Sequence, residues 1–376
     1  MATSTSTTTS PSLTTSTSTS TPSCVTATPG LHGYVPPEAC NAKWAYNPSF
    51  AAAVAFALIF GIATLAHLAL AILHRKPFCW VIVMAAAWEF SAFIIRALGS
   101  HNQQNTAYAT ASQILFLLAP LWVNAFVYMT AGRLVWMLHP EKKIWGFKAM
   151  SMGKWFVWLD VFSFVVQGAG GMMLNPGSDA KTMEVGKKIY MSGVGVQEFF
   201  ILLFSALIVR FHVDALRLER QGLLGNGGLG KSGNWWKWLT YTLYAVLTLI
   251  TIRIIYRLAE FSGGVDPADN QLPYKEGYAL GLDAFPMALA ITLLAILHPG
   301  VVLKGPESEF PSRKEKKAEK KARKEEKKRL KVAKKSGLAV DTGYSPVHSV
   351  SSNKGLVNDD VEMGRMGRQN GDVARF

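Results

Sequence analysis

Five ionisable residues stand where ionisable residues are expensive. Glu89, Arg96, Asp160, Arg253 and Asp283 each interrupt a long apolar run. A charge at the centre of a spanning helix costs about 2.5–3.5 kcal/mol on insertion scales. Five of them facing lipid would cost on the order of 12 kcal/mol, comparable with the whole stability of a domain. They must therefore face one another or a wet cavity. The spacing agrees. Glu89 and Arg96 are seven residues apart, as are Gln113 and Pro120, Asp160 and Gln167, and Arg253 and Glu260, and a separation of seven returns to nearly the same face of a helix. Asn124 follows Pro120 by four and continues that stripe, and Gln197 with Glu198 adds polar groups to another run. Glu89, Arg96, Gln113, Asn124, Asp160, Gln167, Gln197, Arg253 and Asp283 are thus the candidates for a substrate or proton pathway. The acids among them can pair with an ammonium headgroup or carry a coupling proton. Arg257 and Glu260, near the end of their run, read as a surface ion pair.

The elements that position these residues are seven apolar runs near 51–73, 78–98, 110–136, 155–175, 189–209, 238–259 and 278–298. Each is long enough to cross a roughly 30 Å hydrocarbon core. The expected fold is an all-α integral membrane protein with seven transmembrane helices. No apolar leader precedes residue 50, so the first run is expected to direct insertion itself. Loops 74–77, 139–154 and 210–237 hold eleven Lys or Arg, against five in the segments on the other side. That bias predicts the N-terminus outside and the C-terminus in the cytosol. Trp136, Trp155, Trp158, Trp235, Trp236 and Trp238 fall at the inferred cytosolic ends, as an interfacial aromatic belt does. Pro120 and Pro286 are expected to kink their helices, and Gly168, Gly170 and Gly171 to admit a close neighbour.

The flanks differ in composition and set three segments. Residues 1–43 are expected to form a Ser/Thr-rich, disordered extracellular tail, with 20 Ser or Thr among the first 28 residues, which cannot bury a core. Residues 44–303 are expected to form the seven-helix domain, and 304–376 a basic, disordered cytosolic tail. Within that tail, 313–335 carries 14 Lys or Arg against 4 Glu. It has no hydrophobic face and suits anionic inner-leaflet lipid, and it has too few aromatic residues for nucleic acid. Seven spans exclude a soluble enzyme, and three Cys exclude a disulfide scaffold. Cys24 and Cys40 lie on the oxidising side, either as a disulfide or as unrelated thiols, while Cys79 reads as a small apolar packer. His67, His74, His139 and His298 read as interfacial histidines, because none has metal-ligand spacing. Gly225-Asn226-Gly227-Gly228-Leu229-Gly230-Lys231-Ser232 fits the phosphate-loop pattern literally. It lacks a preceding strand and a nucleotide domain and reads as a flexible connector. No cofactor or metal is implied.

A second line of reading comes from resemblance. Tyr46-Asn47-Pro48-Ser49 ahead of the first span resembles the corresponding segment of the fungal lipid-translocating exporter family, the seven-span group linked to aminocholesterol resistance and sphingoid long-chain base export. Further matches follow in order: Glu89 with Arg96, Gln113 with Leu118-Ala119-Pro120, and Gly132-Arg133. Then come Asp160, Ser163, Gln167 and Gly168, Gly193 with Gln197, and Arg253, Tyr256, Arg257 and Glu260. Asp283 with Pro286 and His298-Pro299-Gly300 close the set. Ala92-Phe93 departs from the Gly-Tyr-like pair of the family pattern. The resemblance implies a fungal plasma-membrane protein, not an enzyme, that exports or flips amphipathic lipids or toxic amphiphiles. The alternative is a seven-helix receptor or a regulator of lipid asymmetry and stress resistance. A retinal receptor would need a Lys in the seventh span, and a G-protein-coupled one an acidic-Arg-Tyr triplet where this chain has Ala131-Gly132-Arg133. An intramembrane hydrolase would need a nucleophile–base or metal constellation, and no such constellation is legible.

Overall fold

The computed structural model describes residues 25–37, 39–174, 179–224, 234–263, 270–303, 309–311 and 313–335. Seven helical stretches among them are long and apolar enough to span a membrane. The first six are α1 (Phe50–His74), α2 (Trp80–Ser100), α3 (Thr106–Leu138), α4 (Ala149–Met173), α5 (Ala180–Arg220) and α6 (Trp235–Ser262). The seventh, Glu276–Val302, is composite. It comprises α7 (Glu276–Ala279), a π-helical turn (Leu280–Ala284), α8 (Phe285–Ile296) and the short α9 (Pro299–Val302). The near end of the bundle is the one where α1 begins; the far end is where α1 stops.

Local chemistry sets the helix limits. Ser49, Asn105 and Asp179 cap α1, α3 and α5 by accepting hydrogen bonds from the backbone N–H groups of Ala52, Ala107 and Thr182, satisfying donors that a helix start leaves unpaired. At the far end α1 closes on Arg75 in the left-handed conformation. Between α3 and α4 the chain forms a hairpin, β1 (Lys143–Ile144) paired antiparallel with β2 (Phe147–Lys148). Its turn residues Trp145 and Gly146 both have positive φ, the twist that a two-residue hairpin requires. The π turn immediately precedes Pro286, which has no N–H to offer the Leu282 carbonyl in α-helical register.

Two helices exceed their expected limits. α3 has 33 residues and α5 has 41. At about 1.5 Å per residue α5 is about 60 Å long, twice the hydrocarbon thickness. The segments 180–188 and 210–220, read as loops, are helical continuations carrying the i,i+4 pairs Glu184–Lys188 and Asp214–Arg210. Large apolar side chains face outward, as lipid demands; Leu58, Ile62, Leu65 and Ile72 on α1 are each more than 60% exposed. Inside, Tyr128, Phe156 and Phe204 knit α3, α4 and α5 with ring centroids 4.4–5.6 Å apart. Helices α4 and α5 approach closely through Gly170, Gly186 and Gly193, where an added Cβ would come within 2.4–2.8 Å of the facing helix. Gly168 and Gly171 face open space instead: a close approach uses one face of a helix, and only Gly170 of the three lies on it.

The compact bundle ends at Phe310. Residues 313–335 form a separate helix, α10 (Arg313–Lys335), on which the described side chains are exposed.

Candidate functional site

At the near end the segment preceding α1 folds onto the bundle. The Ser49 N–H donates to Glu276 Oε2 at 2.8 Å, and Arg96 Nη2 donates to Glu276 Oε1 at 3.1 Å. Arg96 also donates to the Tyr46 hydroxyl. Its guanidinium lies 5.6 Å from the Trp44 ring centroid and 5.2 Å from that of Tyr46, within cation–π range. The start of α1, the end of α2 and the start of the seventh span thus share one charged link. Asn47 joins in by accepting from Gln103 at 2.8 Å.

Deeper in the bundle Asp283, on the π turn and wholly buried, receives two guanidinium groups. Arg253 donates through Nε to Oδ1, and Arg257 Nη2 pairs with Oδ2. Arg257 Nη1 also donates to Glu260 at 2.9 Å. The Phe116 ring lies 5.9 Å from the Arg253 guanidinium carbon and 5.7 Å from that of Arg257. Burying an ion pair is favourable only with such additional hydrogen bonds. Glu89 is also fully buried; its charged neighbours are Arg253, Asp283 and Arg257, and neither carboxylate oxygen has a hydrogen-bond partner among the described residues.

A cavity of about 510 Å³ lies over this network. Its charged and polar lining includes Arg96, Arg257, Glu260 and Gln113, and its wall is Trp44, Tyr46, Phe93, Ile114 and Phe116. One lining face therefore suits an alkyl chain and the other a charged headgroup. A second void of about 20 Å³ lies between Pro120, Gln167, Tyr190, Gln197 and the two arginines, room for about one water molecule.

The other polar groups pair without a cation. Asp160 Oδ2 accepts from Asn124 Nδ2 and from the Tyr128 hydroxyl, each at 2.9 Å. Gln167 Nε2 donates to Gln197 Oε1 at 2.8 Å. Of the nine pathway candidates, the fold joins Arg253 to Asp283, Asn124 to Asp160 and Gln167 to Gln197, and brings Arg96 and Gln113 to one cavity. Glu89 and Arg96 lie on one helix stripe but face different partners.

Several sequence expectations change. Arg257 and Glu260 do pair, but not at the surface: their side chains are 9% and 13% exposed, and Arg257 is half of the clamp on Asp283. His67 and His298 are buried in the bundle. His67 Nε2 lies 3.0 Å from the Ile291 carbonyl oxygen, and His298 Nδ1 accepts from the Gly300 N–H. Trp236 is wholly buried, stacked edge-on to His212, whereas Trp155, Trp158, Trp235 and Trp238 are exposed as a belt requires. Among the described residues no three His, Cys, Asp or Glu converge as metal ligands. Cys40 is disulfide-bonded and Cys79 is free and buried; Cys24 lies outside the described residues, as does the Gly225–Ser232 motif.

Glu276, Tyr46, Trp44 and Tyr128 escaped the reading of polar stripes. Tyr128 stands four residues beyond Asn124 on the same stripe, a signal that was available. Glu276 and Tyr46 stand at the edge of apolar runs, where periodicity is silent; only the Tyr46-Asn47-Pro48-Ser49 motif marked the second.

The sequence has relatives among known proteins. The chain is 43% identical over 298 residues, 78% of each chain, to a protein of Emericella nidulans named probable lipid transporter atnI. It is 30% identical to protoporphyrin uptake protein 1 of Saccharomyces cerevisiae, over 55% of this chain and 64% of that one. It is 24% identical to the sphingoid long-chain base transporter RSB1 of the same yeast, over 68% of this chain and 72% of that one. No solved structure matches. A family model described as RTA1 like protein matches residues 82–306, more than half of the sequence, and the chain belongs to that family.

Proposed function

We propose that this chain exports or flips amphipathic lipids, sphingoid long-chain bases among them, across a fungal plasma membrane. The observation that carries the reading is the near-end cavity, which sets an aromatic wall beside paired buried charges. An alkyl chain fits along Phe93, Ile114 and Phe116. An ammonium headgroup fits beside the Glu260 carboxylate and against the faces of Trp44 and Tyr46, which line the same cavity. The relatives named as lipid transporters support the same substrate class. Glu89 and Asp160 are the acids available to a coupling proton, Asp283 being committed to Arg253 and Arg257.

The near end faces outward and the far end the cytosol, in line with the Lys and Arg of the far-end loops. α10 then lies in the cytosol, where its cations are attracted to anionic inner-leaflet lipid by about 1 kcal/mol per residue near the surface.

The test is release of a labelled sphingoid base from fungal cells that lack their own long-chain-base exporter. The intact chain releases base above empty vector. Phe116→Ala and Gln113→Leu lower release roughly tenfold, the effect of about 1.4 kcal/mol lost from binding. Release equal to vector, with the chain confirmed in the plasma membrane, discards this substrate.

A further inference from the structure

We propose a binding site for one anionic phospholipid at the far end of the bundle, in the cleft between α1 and α2. A cavity of about 420 Å³ opens there, walled by Leu68, Ile72, Val83 and Met84, with Arg75 and Trp80 at its rim. The wall residues on α1 are exposed, Ile72 by 68% and Leu68 by 45%, and Trp80 by 54%. An acyl chain is the partner that surface meets in a bilayer. The cleft is apolar along Leu68, Ala71, Ile72, Val83 and Met84 and changes to cations at Arg75 and Lys76, the layout that admits a lipid phosphate where hydrocarbon gives way to headgroups.

Two features of Arg75 point to an anion. It closes α1 with φ 50 and ψ 42, a left-handed position that glycine occupies without strain and that arginine does not. The guanidinium is thus held at a place where the backbone would be better served by another residue, which marks a side chain kept for what it contacts. The neighbouring cation is already engaged: Lys76 Nζ lies 3.6 Å from Glu309. Arg75 has no carboxylate partner among the described residues. Trp80 at the rim supplies the amphipathic ring that sits at headgroup level. A zwitterionic headgroup such as phosphatidylcholine offsets its phosphate with its own cation, whereas an anionic headgroup such as phosphatidylserine keeps a net negative charge for Arg75, so the cleft selects the latter.

The geometry also provides a variant that separates binding from folding. Arg75→Gly relieves the left-handed cap while deleting the guanidinium. The experiment is native mass spectrometry of the purified full chain, equilibrated with phosphatidylserine or phosphatidylcholine, scoring the fraction that retains one lipid. The intact chain retains phosphatidylserine about tenfold more than phosphatidylcholine, and Arg75→Gly loses that preference while melting no lower than the parent. Arg75→Lys keeps most of it, and Val83→Trp, which fills the cleft, lowers retention of both lipids. A chain with Lys320, Lys321, Lys324 and Lys327 all replaced by Gln still retains phosphatidylserine, which separates the cleft from α10. Equal retention of the two lipids by the intact chain, or undiminished phosphatidylserine on Arg75→Gly, overturns the site. The readout is lipid retention, so it stands or falls independently of export.

Discussion

Two carboxylates buried in the same bundle are treated in opposite ways. Asp283, between α6 and the seventh span, is clamped by two guanidinium groups that rest over Phe116, one of which, that of Arg257, also reaches Glu260. Asp160, between α3 and α4, is met only by the neutral donors of Asn124 and Tyr128. The difference lies in what each carboxylate leaves behind if it is neutralised. Removing the charge of Asp283 strands two buried cations, and removing that of Asp160 strands none. The first region is therefore a fixed ionic floor beneath the cavity. The second is a hydrogen-bonded node that tolerates a neutral partner.

The sharpest way to break that comparison is Asp283→Asn. It is expected to destabilise the detergent-solubilised chain by about 3–5 kcal/mol, the loss found when one member of a buried ion pair is removed. Thermal unfolding followed by size-exclusion recovery measures it, and a melt within error of the parent would show that the clamp is not structural. Next in size is the near-end link: Arg96→Gln and Glu276→Gln, made singly and together, are expected to show a coupling energy of about 1–2 kcal/mol in a double-mutant cycle. Strict additivity would dissolve the link. Asp160→Asn keeps an oxygen that accepts from both neighbours, so it is expected to cost only about 1 kcal/mol, the difference between charged and neutral hydrogen bonds. A loss as large as that of Asp283→Asn would erase the distinction between the two regions. The smallest effect is expected for Gln167→Leu. Hydrogen bonds between spanning helices average about 0.6 kcal/mol, and Gln167→Leu with Gln197→Leu is expected to recover part of that loss, because no amide is then left unpaired.

Export sorts these variants differently. Asp160→Asn preserves the fold, so its release of labelled base tests a role in proton movement apart from stability. Release at the level of the intact chain would confine Asp160 to packing.

Much of this was legible in the residue order. The seven spans were, because an apolar run of membrane length has few alternatives in lipid. So was the inward placement of Asp160, Arg253 and Asp283, since their exposure to lipid is too costly. Their partners were legible only in part. A seven-residue spacing put Glu89 and Arg96 on one face of α2, but a face 10 Å long meets two neighbours, so one residue meets the Arg253–Asp283 cluster and the other meets Glu276. Arg257 was misjudged because distance along a helix from its end was taken for distance from water. The seventh span folds over that end of α6, and Arg257 is buried under it. Tyr46 and Glu276 lie 230 residues apart in the chain and meet through Arg96, a juxtaposition that no local pattern records.

The sequence by itself determined the solvent of this protein, the number of its crossings and which side chains had to turn inward. Those follow from transfer free energies, which belong to each residue separately. Only the tertiary structure decided which acid met which base, which glycine lay at a helix contact and where a cavity remained. Those depend on the rotation and depth of each helix against its neighbours, and in a bilayer such offsets are set by packing rather than by hydrophobicity, because lipid and leucine are equally apolar.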